Sequence, residues 1–225
     1  MNAFSSQKHF LLKLIKITHF FDLRLVFKNV SLTVMPGTVT LIAGPNGAGK
    51  TTLMNIISGL IAPSDGVVEY NIDREQVAYL GHSTFIYPQL TALDNLKFWA
   101  RLYYREAHEK KLTSFLDQVG LKAFAYEKAG TFSRGMAQRL TLARVLMIEP
   151  QLMLLDEPGT GLDINSREML RREITACSQK GAAVVWVSHT LDEDLEMTDQ
   201  VIFLDNKQAA FSGLTRDYVD QQQDN

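Results

Sequence analysis

Residues 44–51 read Gly-Pro-Asn-Gly-Ala-Gly-Lys-Thr, and this octapeptide determines the architecture of the chain. Its glycines, lysine and threonine have the spacing of a phosphate-binding loop. Residues 38–43 before it are β-branched or apolar, and the apolar residues after it recur at helical spacing, which predicts a strand, a glycine turn and a helix. Such a turn directs backbone N–H groups and the positive end of the helix towards an anion. The pattern therefore predicts a nucleoside triphosphate site.

The side chains of this loop have separate predicted roles. Lys50 is expected to reach the β- and γ-phosphates, and the Thr51 hydroxyl is expected to ligate Mg²⁺. The glycines allow the backbone to fold tightly around the phosphates. The predicted nucleotide contacts from this stretch are Gly44, Pro45, Asn46, Gly47, Ala48, Gly49, Lys50, Thr51 and Thr52.

A second candidate segment follows the apolar run at residues 152–155, which predicts a buried strand. Asp156 and Glu157 come directly after that run, at the end of a strand where open α/β sheets bind ligands. Asp156 is expected to hold Mg²⁺, directly or through water. Glu157 is expected to orient or deprotonate the attacking water. A turn or helix-start signal would explain these residues in isolation, but the upstream phosphate loop favours the catalytic interpretation.

Composition narrows the function further. The chain has 225 residues, with 23 Lys plus Arg against 25 Asp plus Glu, and no basic stripe that would indicate nucleic-acid binding. The single cysteine, Cys177, cannot form an internal disulfide, which is compatible with a reducing compartment. The apolar stretch at residues 10–17 is interrupted by two lysines, so neither a secretory signal nor a membrane-spanning helix is predicted. We expect a cytosolic or peripheral protein.

The hydrophobic pattern divides the chain into strand-rich and helix-rich parts. Residues 10–42 and 67–70 predict an antiparallel layer beside the first strand of the nucleotide core. Thr91, with Asp94 three residues later, is typical of a helix start. After a charged linker at residues 105–111, the apolar residues Leu112, Phe115, Leu116 and Val119 predict a second amphipathic helix, so the two would form a small inserted helical subdomain.

The α/β alternation resumes after residue 151. Strands are predicted at residues 152–155, 183–187 and 201–204, with a helix over residues 165–179. Strands that are apolar throughout suit a sheet covered on both faces. The polar tail at residues 220–225 is expected to be disordered.

Five segments together resemble the ATP-binding cassette ATPases, in the order seen in that family: residues 44–51, 133–139, 152–158, 161–163 and 188–189. The resemblance extends from about residue 10 to residue 213. It implies an α/β P-loop NTPase (RecA-like) fold with a mixed-sheet core, an antiparallel β subdomain and an inserted helical subdomain. We therefore expect one ATPase domain at residues 10–213, with the helical insert at about residues 88–148 and a polar tail at residues 214–225.

The resemblance also implies that two chains enclose two ATP molecules head to tail. In that arrangement Ser133 and Gly135 open a helix that faces the γ-phosphate held by the partner's loop. Asp163 matches the position that touches the opposite subunit, and His189 matches the switch histidine that contacts the γ-phosphate. Phe21 lies where the family stacks an aromatic ring on adenine, with Phe20 as its rival.

Two departures from the family pattern alter these expectations. The signature usually reads Leu-Ser-Gly-Gly-Gln, and Phe132, Arg134 and Met136 replace its first, third and fifth residues. Arg134 adds bulk and a cation where relatives have glycine. His82 stands where the family has a glutamine that links Mg²⁺ to the transmembrane partner, so any contact from its imidazole would differ and could depend on pH.

Within the family, three stretches are similar to the ATPase subunit of the cytochrome c maturation system, often described as a haem exporter. They are residues 79–82, 90–99 and 132–136. This similarity implies separate integral membrane permease subunits as partners. It also implies a peripheral location on the cytoplasmic face of the bacterial inner membrane.

Other functions remain open. A cassette that exports a lipid or a drug would carry the same motifs. A soluble, non-transport cassette is disfavoured because the chain has neither sustained heptads nor a second phosphate loop. Residues 206–209, Asn-Lys-Gln-Ala, lack the aspartate that reads guanine in Asn-Lys-x-Asp. ATP is therefore the expected nucleotide.

Overall fold

The computed structural model describes residues 10–81, 84–103, 108–160, 162–188 and 191–223. Within these ranges the chain forms nine strands and seven α-helices. The strands are β1 (Leu12–Phe21), β2 (Arg24–Val34), β3 (Val39–Ala43), β4 (Asp65–Tyr70), β5 (Val77–Leu80), β6 (Leu152–Asp156), β7 (Ala183–Val187), β8 (Gln200–Asp205) and β9 (Gln208–Leu214). The helices are α1 (Lys50–Ile57), α2 (Ala92–Leu102), α3 (Glu109–Gln118), α4 (Arg134–Met147), α5 (Ile164–Gln179), α6 (Leu191–Leu195) and α7 (Thr215–Gln223).

The described strands form one mixed sheet in the order β4-β1-β2-β9-β8-β3-β7-β6-β5. The half from β8 to β5 is parallel, with β7 between β3 and β6. The other half begins with the antiparallel pairs β4–β1 and β1–β2 and joins the parallel half through β9. The predicted α/β fold with an antiparallel layer is confirmed.

Burial differs between the two halves as the sequence pattern predicts. Every residue of β3, β6 and β7 is buried, because helices cover both faces of this region. In β4 exposed and partly buried positions instead alternate, since one face of the antiparallel layer meets water. The parallel strands therefore form the rigid centre from which the glycine loop and the acidic segment emerge.

Helices α2, α3 and α4 form the inserted helical subdomain around a shared apolar core. The Thr91 hydroxyl accepts a hydrogen bond from the Asp94 backbone N–H at 3.0 Å, which confirms the predicted cap of α2. Inside the subdomain, the buried Asn95 side chain accepts from the Tyr87 N–H at 2.8 Å and donates to the Tyr87 carbonyl at 3.1 Å. Asn95 thus fixes the segment that enters α2.

Two sequence-based expectations are wrong. Helix α3 begins at Glu109 rather than after the charged linker, because its polar first turn faces solvent while the later residues are buried. The C-terminal segment expected to be disordered is helical through Gln223. Tyr218 explains the second difference, since its ring is buried against Phe203 and Phe211 at centroid distances of 5.9 and 5.1 Å. Strand β9, which the sequence pattern did not predict, supplies Phe211.

Across the described part of the chain, none of the helices has both the length and the apolar character needed to cross a bilayer.

Candidate functional site

The glycine loop lies between the central strand β3 and helix α1 and takes backbone conformations that glycine alone adopts readily. Gly44 has φ +141°, and a Cβ there would lie 2.2 Å from the Leu204 carbonyl oxygen of β8. Gly49 immediately precedes α1 and has φ +99°. A Cβ there would lie within 3 Å of the side chains of Val26 and Phe27 on β2. These two glycines let the loop turn while packed against β8 and β2.

The tip of the loop, residues 45–47, is open to solvent. Pro45, Asn46 and Gly47 are exposed, whereas Ala48 and Thr52 are partly buried. Helix α1 begins at Lys50 with no acidic residue in its first turn. The N–H groups of the first turn of α1 have no partner within the helix, and they lie with its positive end at the tip of the loop, as the predicted anion site requires.

Lys50 is buried, and its ammonium donates to the carbonyls of Gly44 at 2.8 Å and Pro45 at 3.1 Å. Burial lowers the pKa of this ammonium, while the nearby carboxylates of Glu157 and Asp156 act in the opposite direction. The lysine charge is thus held directly beneath the loop and close to both acidic residues.

Asp156 is brought to the loop by the sheet. It ends β6, two strands away from β3, and its side chain is 1 % exposed. The Thr51 hydroxyl donates to Asp156 Oδ1 at 3.4 Å. The two residues predicted to hold Mg²⁺ therefore meet in the fold.

The oxygens of Thr51 and Asp156 fit Mg²⁺, which binds hard oxygen ligands and completes its shell with water and substrate phosphate. Among the described residues there is no cluster of three or more His, Cys, Asp or Glu side chains that could hold a metal ion. A site with one carboxylate, one hydroxyl and an adjacent phosphate loop is the type that Mg²⁺ uses with nucleotides. The donor set therefore agrees with the sequence expectation.

Tyr79, a residue that motif spacing did not single out, is also part of this site. It lies on β5, next to β6, and its hydroxyl donates to Asn55 Oδ1 of α1 at 3.1 Å. Burial, followed by the nearby Asp156 carboxylate, raises the pKa of the Tyr79 phenol to about 12. Tyr79 thereby joins α1 to the acidic segment, a link that only tertiary structure reveals.

Glu157 has an unusual backbone conformation immediately after β6. Its φ is +54°, and its N–H donates to the Val187 carbonyl of β7 at 3.0 Å. The Thr160 hydroxyl donates to Glu157 Oε2 at 3.4 Å. This left-handed turn directs the Glu157 side chain away from the strand, where it lines a cavity of about 110 Å³.

Ser133 and Gly135 lie at the exposed start of α4. The Ser133 hydroxyl accepts from the Met136 N–H at 3.2 Å, so it caps the helix. A Cβ on Gly135 would meet nothing within 4 Å. Packing within this chain therefore does not require a glycine at position 135.

Asp163 caps α5 by accepting hydrogen bonds from the Ser166 N–H at 2.8 Å and hydroxyl at 3.1 Å. The backbone N–H of Ser166 is the main cause of the lowered pKa of the Asp163 carboxyl. Asp163 and its neighbour Ile164 are both exposed. Helix capping therefore leaves this corner available to another molecule.

The two candidate adenine-stacking residues lie at the end of β1. Phe21 and Phe20 are 52 % and 42 % exposed, so neither belongs to the core. The Phe21 ring meets the His19 ring edge-on at 4.8 Å, and the Phe20 N–H donates to the Ser64 hydroxyl. Strand β2 of the same hairpin meets the turn at Gly49 through Val26 and Phe27, and Phe20 pairs with the preceding residue of β2, Leu25.

Two further predicted site residues, His82 and His189, lie outside the described residues. The segments that lead to them are described: Gly81 follows β5 and Ser188 follows β7.

The central parallel strands, the glycine loop opening α1 and the acidic pair after β6 define a P-loop nucleoside triphosphatase. Residues 27–160 match the model of the ABC transporter family. The chain therefore belongs to that family and is an ATP-binding subunit whose ATPase activity is coupled to transport.

Relatives and solved structures agree with this assignment. The ABC transporter ATP-binding protein NatA of Bacillus subtilis is 32 % identical over 198 residues, which cover 83 % of this chain and 80 % of NatA. The Fe(3+) ions import ATP-binding protein FbpC of Rhizobium etli is 34 % identical over 201 residues, covering 84 % of this chain and 57 % of FbpC. The chain thus spans less than two thirds of the length of FbpC.

A solved ATP-binding subunit of an ABC transporter matches with a TM-score of 0.87 and 27 % identity, covering 95 % of this chain and 93 % of that one. The dimeric ATP-binding cassette MJ0796 bound to ADP and Pi, in a post-hydrolysis state, matches with a TM-score of 0.81 and 26 % identity. That match covers 91 % of this chain and 99 % of that one.

Proposed function

We propose that this chain hydrolyses Mg²⁺·ATP to power a permease at the cytoplasmic face of the bacterial inner membrane. The observation that carries the proposal is the contact between the Thr51 hydroxyl and the Asp156 carboxylate. Lys50 lies beside the same carboxylate. The phosphate loop, the two candidate metal-binding residues and a positive charge are therefore close together. This combination suits phosphoryl transfer, in which catalysis consists mainly of positioning and charge stabilisation.

In the proposed reaction the backbone of the glycine loop binds the β- and γ-phosphates. Phosphate oxygens compete with the carbonyls of Gly44 and Pro45 for the Lys50 ammonium. Thr51 and Asp156 would hold Mg²⁺, which would neutralise charge on the phosphates. Glu157 accepts a proton from the attacking water, whose oxygen bonds to the γ-phosphorus while the bond from that phosphorus to the β–γ bridging oxygen breaks. The products are ADP and inorganic phosphate.

The proposed active unit is a dimer in which Ser133 and Gly135 of one copy face the nucleotide on the loop of the other. Two observations support this arrangement. The start of α4 is exposed and open at Gly135, and Asp163 is exposed at a second corner. The proposed adenine contact is Phe21 or Phe20, and His82 and His189 are proposed as additional contacts to the nucleotide site.

The proposed transport task is haem delivery or release in cytochrome c maturation. It rests on the resemblance of residues 79–82, 90–99 and 132–136, two of which belong to the helical subdomain that packs around α2 and α4. Deletion of the gene should then abolish c-type cytochromes, and affinity purification from membranes should recover integral subunits. Normal cytochrome c content in the deletion strain would favour export of another substrate, such as a lipid or a drug.

Asp156→Asn tests the catalytic proposal most directly. The substitution preserves shape but removes the negative charge that holds the metal, so ATP hydrolysis should fall at least about 100-fold. ATP binding without Mg²⁺ should change little. Asp217→Asn, an exposed change on α7, is the matched control and should hydrolyse ATP normally. Full Mg²⁺-dependent hydrolysis by Asp156→Asn would refute the assigned metal site.

A further inference from the structure

The cavity beside Glu157 contains polar groups that the proposed reaction does not use. Its described lining includes Thr160, Arg167, Arg171, Trp186 and Asp194, and its volume is about 110 Å³. At roughly 30 Å³ for each molecule in the liquid, this space accommodates several waters.

Two buried N–H donors near this cavity have no hydrogen-bond partner among the described residues. Trp186 is 3 % exposed, and its indole Nε1–H has no hydrogen-bond partner among the described residues. The buried Nε–H of Arg167 also lacks a partner within the part of the chain that the structure describes. A buried donor without a partner is destabilising, so a ligand with acceptor oxygens is favoured at this position.

The charges around the cavity indicate which ligand fits. Arg171 donates to the buried carboxylate of Asp194 at 2.7 Å and to the exposed carboxylate of Glu193 at 2.9 Å, so the positive charge of Arg171 is offset. The rest of the described lining carries one further guanidinium, that of Arg167, and one further carboxylate, that of Glu157, so their formal charges also sum to zero. An anion or a cation would disturb this balance, whereas water can accept from both donors and donate to the Glu157 carboxylate.

We propose that this cavity is a water site that serves Glu157 and that Trp186 is its positioning residue. The proposal rests on the assigned role of Glu157 in ATP hydrolysis. Ordered water held by the Trp186 indole and by Arg167 keeps the Glu157 carboxylate oriented towards the attacking water. The same waters provide a route by which the proton gained by Glu157 returns to solvent. Trp186 acts through Glu157 and does not touch the nucleotide.

The first test needs no enzymatic activity. The chain contains two tryptophans, so the indole N–H signals of ¹⁵N-labelled protein are assigned with Trp99→Phe and Trp186→Phe. We expect a cross-peak between water and the Trp186 indole proton, despite the burial of this side chain. The absence of that cross-peak would overturn the proposal, because it would mean that the cavity is dry around the indole.

The second test separates positioning from packing. Trp186→Phe removes the N–H donor and retains an aromatic ring, so kcat should fall about three- to tenfold while KM for ATP stays within about twofold. Leu170→Met changes an apolar part of the same lining without removing a donor and should leave kcat within about twofold. Equal kcat values for the two variants would overturn the positioning role. If the wild-type chain did not hydrolyse ATP, the proposed function would fail, while the water cross-peak would still decide whether the cavity is wet.

Discussion

The hydroxyl of Thr51 lies 3.4 Å from Oδ1 of Asp156, although 105 positions separate the two residues in the chain. One residue belongs to the first turn of α1 and the other ends β6, with β7 between β3 and β6 in the sheet. The contact closes the phosphate loop onto the acidic segment.

Lys50→Ala should weaken ATP binding by about 10- to 100-fold. The loss corresponds to one charge-assisted contact to phosphate, worth about 1.5–3 kcal/mol. Isothermal titration of ATP into the purified protein measures the change. Lys180→Ala removes an exposed lysine beyond the end of α5 and should bind like the wild type. Unchanged affinity in Lys50→Ala would contradict the assignment of the loop.

Glu157→Gln should reduce steady ATP turnover by at least about 100-fold, because the amide cannot accept the proton of the attacking water. ATP should remain bound, and light scattering should detect a dimer that accumulates with Mg²⁺·ATP. Glu168→Gln, an exposed change on α5, should hydrolyse ATP at the wild-type rate. Undiminished turnover in Glu157→Gln would remove Glu157 from the mechanism.

Gly44→Ala should lower the free energy of unfolding by about 3 kcal/mol or more, since its Cβ would collide with the backbone of Leu204 at a positive φ. Gly47→Ala shares the positive φ, but its Cβ would meet nothing within 4 Å. Its cost should be limited to about 1–2 kcal/mol of backbone strain. Urea denaturation of the two variants measures the difference, and equal destabilisation would show that contact with β8 does not restrict Gly44.

Gly135→Ala should leave the unfolding midpoint unchanged or slightly higher, because alanine favours the helix and has open space around it. If this helix start faces the partner's γ-phosphate, the added methyl group should still reduce ATP hydrolysis about tenfold or more. A circular dichroism melt and an ATPase assay on the same sample give both results. Wild-type hydrolysis would argue against the proposed contact across the dimer.

Tyr79 should make stability depend on pH in the alkaline range. Its folded-state pKa of about 12 exceeds the ordinary value of 10.0. The unfolded chain therefore loses the phenolic proton first as pH rises. The stability that neutral Tyr79 contributes is fully present below pH 10 and is lost progressively between pH 10 and about 12.

Comparison with Tyr79→Phe isolates this effect. Between pH 8 and pH 11, the free energy of unfolding measured with urea should fall more for the wild type than for the variant. Tyr87→Phe, an exposed change ahead of α2, tests whether the loss is specific to Tyr79. A constant difference between wild type and Tyr79→Phe would show that the phenol titrates normally.

Much of the site could be predicted because its residues are adjacent in the chain. The loop needs glycines at Gly44 and Gly49, so backbone sterics leave a readable pattern. Asp156 follows four consecutive buried residues, which the sequence shows as an apolar run. In contrast, Tyr79 and Trp186 carry no local signal, because a tyrosine or tryptophan in a strand usually serves only the core.

The C-terminal segment shows the same limit in the fold. Its polar composition predicts disorder, yet the single ring of Tyr218 buries itself against Phe203 and Phe211, and the segment is helical. A pattern of polar residues cannot reveal that one apolar side chain has a place to pack. That information resides in the pairing of β8 with β9.

The amino-acid order alone determined the phosphate loop, the strand that leads into the acidic pair and the capped start of α2. Each of these depends on interactions within a few residues, such as glycine dihedral angles, helix caps and hydrophobic period. Only the tertiary structure decided that Thr51 meets Asp156, that Tyr79 joins them and that Trp186 lines a cavity with Glu157. Those relationships depend on which strands become neighbours, and strand order is a property of the whole packed sheet.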